Sequence, residues 1–567
     1  MLKYVSKKYV AIVIAFAVNL AVGAQPLNQK TEFTQQDTLR GTVGPGRDWW
    51  NVVRYHIYTM PDYKQKSIQG SVEIEFDVVK TGANKLMQID LQQPLEIDSI
   101  VFNGSQIHTF KRDGNVYMVD FGKFDFQIAA DDTKIVKGKQ AAFSLNVYFH
   151  GKPRVAVMPP WDGGWIFSKD AKGRPWMTVA CQGLGASVWY PCKDHQSDEP
   201  DAGATLSIIV ADTLVAVGNG RLINKTDNKN GTTTWEWKVK NPINNYNLVP
   251  YIGKYVNYND TLMGEKGKLD LNYWVLDYNL EKAKKQFGRD VKRMLHAFEY
   301  WFGPYPFYED SYKLVESPHL GMEHQSSIAY GNKYLDGYLN SDLSGTGWGK
   351  KWDYIIVHES GHEWFGNNIT TKDIADMWVH EGFTMYSEAL FIEYYYGKKA
   401  ADEYVAGLRR NINNDIPLIG LYGINREGSG DMYNKGANMI HTIRQIINND
   451  SLFREILRGL NKQFYHTTTT SKEVETYISK QAGKDFSKIF EQYLRTTQIP
   501  ELIIKGNKNS ISYHWENCIK GFDMPVRLNN GQWICPLEKT KSVKLTSGDF
   551  DSILPDNNFY IRVQKIK

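Results

Sequence analysis

Apolar and polar residues alternate through Ser71-Val72-Glu73-Ile74-Glu75-Phe76-Asp77-Val78, the period of two that marks a strand with one buried face. Similar stretches recur at 116–121, 143–149, 206–217 and 233–239, separated by Gly, Asn, Asp and Lys as turns require. The chain from about Asp48 to Tyr255 is therefore expected to be strands. The period changes at Leu280. From there to Phe302, Phe287, Val291, Leu295 and Phe298 fall three and four apart, which predicts an amphipathic helix. Further helices are expected near 352–366, 376–396, 399–413, 434–448 and 472–494, with one strand at 312–317 among them. After Thr496 short strand patterns return at 502–504, 510–515, 524–528, 541–545 and 559–563. The expected architecture is multidomain α+β. An N-terminal β saddle or sandwich spans 45–256, a mainly helical domain spans 257–496, and a small β-sandwich-like module spans 497–567.

The first residues follow a different logic. Lys3, Lys7 and Lys8 precede an apolar run over 9–18, and Val22-Gly23-Ala24 offers the small residues that signal peptidase cuts. Residues 1–24 are expected to be a cleavable leader that exports the protein to the periplasm or the outside. An uncleaved anchor is the alternative, but the run falls short of the roughly 20 apolar residues of a spanning helix. No stable membrane span is expected once the leader is gone. The formal charge of +4 includes three leader lysines, so the mature chain is nearly neutral. Without a basic stripe, nucleic acid is not an expected partner. Cys181, Cys192, Cys518 and Cys535 lack metal-ligand spacing such as C-x-x-C. Export would permit pairing within each half, and buried free thiols are an equally open reading.

The central chemical feature is His358-Glu359-Ser360-Gly361-His362, preceded by the apolar Tyr354-Ile355-Ile356-Val357. Residues four apart share a helical face, so two imidazoles can aim at one metal ion. Catalytic zinc takes three such ligands and keeps one position open. Glu359 can reach a water there without ligating the ion, a role general to this motif. The bland alternative is a helix with two surface histidines. A third ligand is available in Glu381, within Trp378-Val379-His380-Glu381-Gly382-Phe383-Thr384. A helix, a loop and an antiparallel helix would return its carboxylate to the histidines. Glu388, two turns further on, is placed to hold a ligating histidine. His324 and His380 lack ligand spacing and are expected to pack.

The motif, Glu363-Trp364-Phe365-Gly366-Asn367 after it, and Trp378-x-x-Glu381-Gly382-Phe383 together resemble the gluzincin aminopeptidases, which include aminopeptidase N and the bifunctional leukotriene-hydrolase enzymes. The order of β, helical and β segments is similar over most of the chain. The resemblance implies a thermolysin-like catalytic domain, one Zn2+ on His358, His362 and Glu381, and Glu359 as general base. Leu320-Gly321-Met322-Glu323-His324 resembles the family's G-x-M-E-N segment, with Leu320 and His324 departing from it. By that likeness Glu323 binds the substrate's free α-amine, and Gly321 and Met322 belong to the substrate-binding site. Cys181-Gln182-Gly183 resembles a second amine-binding stretch, which would make Gln182 an amine ligand. Tyr433-Asn434-Lys435-Gly436 resembles the family's Y-x-K-G, whose Tyr stabilises the oxyanion. The implied activity is removal of N-terminal residues from peptides with a free N-terminus. The family's large helical C-terminal domain has no counterpart in the short β tail after Thr496. A zinc endopeptidase, an epoxide hydrolase on the same site, and a non-catalytic peptide-binding scaffold are the rival readings. Oligomeric state and side-chain preference are not legible here.

Overall fold

A computed structural model of the chain describes residues 32–80, 86–122, 124, 126 and 141–566; the leader expected at 1–24 lies outside them. A short helix, α1 (Gln35–Gly41), leads into the N-terminal strands. Trp50–Asp62 and Ser67–Val78 form a long antiparallel pair, with Tyr55 opposite Ile74. Trp50–Asp62 also pairs in parallel with Ala204–Ala211, and the sheet extends to eight strands. The alternation read from the sequence is realised, since Val72, Ile74 and Phe76 are all fully buried. A four-stranded and a three-stranded sheet supply further residues to the same core, among them Trp165, Val179, Met87 and Ile89. The stretch 206–217, read as one strand, is two. Ala204–Ala211 and Val215–Val217 belong to different sheets.

The helical part starts with a hairpin the sequence reading did not separate, Tyr255–Gly264 and Gly267–Leu276. Together with Tyr312–Glu316, Ile328–Tyr330 and Gly321–Met322 it forms a five-stranded sheet, with Gly321–Met322 at one edge. Next come α2 (Leu280–Phe302), α3 (Tyr354–Gly361), α4 (Trp378–Tyr396), α5 (Lys398–Leu408), α6 (Asn434–Ile447), α7 (Asp450–Gln463), α8 (Ser471–Ala482) and α9 (Ser487–Arg495). The single helix expected over 472–494 is broken at Gly483, whose φ of 61° gives α8 a left-handed cap. Helix α7 was not anticipated, although the Asn449 side chain caps its start.

The tail contributes one four-stranded sheet and a two-stranded hairpin. It has no separate core. Leu502, Ile504, Trp515, Phe522 and Met524 join the apolar cluster of α2, α4 and α6. Among the described residues no helix is long and apolar enough to cross a membrane. All four cysteines are unpaired, with Cys181 and Cys192 fully buried.

Candidate metal centre

Helix α3 begins where Asp353 accepts hydrogen bonds from the Ile355 and Ile356 amides. Asp353 is in turn held by Tyr330, Gln286 and Asn332. The start of the helix is thus fixed, and with it the direction of the side chains one turn on. His358 and His362 are 5% and 1% exposed, so the surface-histidine reading fails. Each ring is oriented through Nδ1. His358 Nδ1 lies 2.7 Å from Glu388 Oε1, and Tyr404 donates to that carboxylate's other oxygen at 2.6 Å. His362 Nδ1 lies 3.0 Å from the Phe365 carbonyl, which can only accept. With Nδ1 engaged in this way, both Nε2 atoms are free to face a metal.

They face Glu381, in the first turn of α4, which is 3% exposed. Helices α4 and α6 cross at glycines: a Cβ on Gly436 would sit 3.0 Å from the Gly382 Cα. This close approach fixes the turn that carries Glu381. Glu381 Oε2 lies 3.3 Å from His362 Nε2 and 3.7 Å from His358 Nε2, yet makes no hydrogen bond. The edges of a tetrahedron around an ion about 2.0–2.2 Å from its corners are about 3.3–3.6 Å long. The orphaned oxygen and the spacing therefore fit a small, tetrahedral cation. Electrostatics agree. Burial alone would depress both imidazoles, but carboxylates overcome it, Glu381 and Glu323 carrying His362 up to about 9. Glu381 is held well below the usual carboxylate range against its own burial, chiefly by His362. The centre attracts positive charge.

Glu359 stands beside this triad, and burial pushes its carboxyl up to about 7. A Cβ at Gly321 would come within 2.5 Å of Glu359 Oε1, which explains the glycine there. Glu323 follows the edge strand Gly321–Met322. It accepts hydrogen bonds from Gln182 Nε2 and, at 3.0 Å, from Tyr246 O–H. Ligand atoms of Glu323, Glu359 and His362 all lie within 4.8 Å of one another. Sequence-expected residues from the β domain and the helical domain thus meet at one point. Met322, buried, joins the N-terminal core, and its strand pairs with Ile328–Tyr330 on one side and is the outermost of its sheet on the other. The Tyr433 ring stacks on His358 at 6.0 Å, and burial pushes its phenol well above its ordinary value, so it stays protonated. His324 bonds Tyr251, and His380 accepts from the Thr371 amide. Both are packed away from the triad, as their spacing suggests.

Three residues escaped the sequence reading. Tyr246 reaches Glu323 from 77 positions away, and nothing local marks it. Asn367 donates to the Glu323 carbonyl at 2.8 Å; its place directly after the metal motif is a signal that could have found it. Glu427, in the loop before Tyr433, carries a carboxyl that burial and the like charges of Glu381 and Glu323 push up to about 7.

Comparison with known proteins speaks to family and fold. The profile described as "Peptidase M1 N-terminal domain" matches residues 52–246, and "Peptidase family M1 domain" matches 286–418, together more than half of the chain. Leucine aminopeptidase 2 of Vanderwaltozyma polyspora is 25% identical over 291 residues, which is 49% of this chain and 40% of that one. Probable aminopeptidase 1 of Saccharolobus solfataricus is 21% identical over 448 residues, 76% of this chain and 53% of that one. The chain thus spans about half the length of the curated relatives it matches. Among solved structures, an M1 zinc metallopeptidase from Deinococcus radiodurans aligns with a TM-score of 0.65 at 19% identity, covering 80% of this chain and 95% of that one. At that identity the likeness speaks for the fold. With two matching domain profiles and the metal motif in its expected place, the chain belongs to the peptidase M1 family.

Proposed function

We propose that the protein is a zinc-dependent aminopeptidase that hydrolyses the first peptide bond of peptides with a free N-terminus. The position of Glu323 carries this reading. Its carboxylate lies within 4.8 Å of a Glu359 oxygen and a His362 ring nitrogen, a single residue's reach from the metal centre. An α-ammonium held by Glu323 would leave its own carbonyl, two bonds away, at the triad. Blocked or internal segments would have no counter-charge to offer. The names of the curated relatives support the same activity.

Zinc on His358, His362 and Glu381 would polarise the scissile carbonyl and acidify a water. Glu359 takes the proton of the attacking water and hands it to the departing amine. Tyr433 donates its O–H to the carbonyl oxygen as charge gathers there. Gln182 and Tyr246 orient Glu323. The leader over 1–24 is proposed to export the enzyme. Glu388 holds His358 from behind, so Glu388→Ala should weaken zinc binding by roughly 10- to 100-fold, as read by titration against a competing chelator. Unchanged affinity would remove Glu388 from this role.

The test is hydrolysis of aminoacyl amides and their N-acetylated counterparts, with and without a chelator. Free-amine substrates should be cleaved, the rate lost on chelation and restored by zinc. Cleavage of acetylated peptides would instead favour an endopeptidase. No cleavage of either would return attention to epoxide hydrolysis or peptide binding.

A further inference from the structure

Glu427 lies in the loop that runs from Asn411 to the turn Gly430–Met432, six residues before Tyr433. The loop folds back on itself. The Ser429 amide donates to the Pro417 carbonyl at 2.9 Å, and a Cβ on Gly428 would strike the Leu418 carbonyl at 1.9 Å. A Cβ on Gly420 would lie 2.7 Å from the Glu427 carbonyl carbon, so the two strands of the loop touch there. The loop is also anchored on both sides of the site. The Gly420 amide donates to the Ala375 carbonyl at 3.0 Å, just before α4, and Asn425 Nδ2 donates to the Gly183 carbonyl at 2.8 Å, beside Gln182. Glu427 is therefore pinned between the Gln182 loop and Tyr433.

Its carboxylate has no hydrogen bond or ion pair with any described residue. The nearby cations are engaged elsewhere: Arg426 lies over the Phe33 ring, and Lys435 donates to the Thr496 carbonyl. Burial, then Glu381 and Glu323, push Glu427 up to about 7, the mark of a carboxylate without a counter-charge. A dication would find its counter-charge at Glu381 and an α-ammonium at Glu323, which leaves Glu427 without one.

We propose that Glu427 receives the cationic side chain of the substrate's first residue, so that the enzyme favours N-terminal Arg and Lys. This rests on the aminopeptidase reading. A forked guanidinium or a flexible ammonium on a long apolar stem can reach a carboxylate beyond the backbone site while its α-amine stays on Glu323.

The experiment compares kcat/KM for Arg-, Lys-, Leu- and Ala-amides in the wild type and in Glu427→Gln. It adds calorimetric binding of free arginine and free leucine, which are not turned over, to the zinc-loaded protein. The wild type should prefer Arg and Lys and bind arginine more tightly. In the variant the Arg-over-Leu ratio should drop by roughly 10- to 100-fold in both readouts. A wild type that favours Leu, or a ratio that stays put while all rates fall together, would overturn the proposal. The second of these outcomes would make Glu427 a partner of the α-amine or of the fold. Failure of the aminopeptidase reading looks different: acetylated substrates are cleaved, or none are. The calorimetric comparison still decides the role of Glu427 in that case.

Discussion

Glu359→Gln should retain its zinc and lose turnover by roughly 10²- to 10⁴-fold, the range that a positioned general base contributes. Metal should be retained because the orphaned donor of the centre is Glu381 Oε2, while Glu359 lies towards Gly321. Gln fills the same space and cannot take a proton. Burial raises the Glu359 carboxyl to about 7, and a dication in the triad would pull it back towards the charged form a base needs. Metal content by atomic absorption, measured beside kcat, separates the two roles. A variant that turns over at near the wild-type rate would remove Glu359 as the base; one that loses its zinc would make it a ligand.

Tyr433→Phe should lower kcat by roughly 10²- to 10³-fold, with little change in KM. The ring would stay where it is, since its stacking on His358 does not involve the hydroxyl. The lost group is a neutral donor, kept protonated by burial beside Glu381 and Glu427. Such a donor matters most when charge gathers on the carbonyl oxygen, so the loss belongs to the transition state more than to the bound substrate. A rise in KM at constant kcat would recast Tyr433 as part of the substrate pocket.

The metal centre was legible because its geometry is local. His358 and His362 are one helical turn apart, and Glu381 sits in the first turn of the next long helix, so a helix, a loop and a returning helix are enough to suggest the three ligands, although the crossing of α4 and α6 fixes the last of them. The same holds for α2, whose apolar stripe gave its bounds without tertiary help. What was not legible depends on contacts far apart in sequence. Tyr246 is coupled to Glu323 only because the β domain packs against the edge strand. Met322 shares a motif with Glu323, yet it joins the N-terminal core while Glu323 bonds Gln182 and Tyr246. The break at Gly483 was readable in principle, since glycine is the residue that tolerates the left-handed cap. The C-terminal strands were visible as strands, but the sequence could not say against what they pack.

That packing has its own consequence. Tyr493 donates to the Tyr560 carbonyl, and the Tyr560 amide donates to Thr442 in the middle of α6. Arg409, after α5, donates to the Asn557 carbonyl at 2.8 Å. The tail is thereby stitched to the helix whose first turn follows Tyr433, and the two share one apolar interior. They are expected to unfold as a single cooperative unit. Heat should melt the tail and the catalytic helices together, and a protease that nicks the tail would inactivate the enzyme, not merely trim it. Substitutions that loosen the tail should therefore lower activity from a distance, through the helix that follows Tyr433.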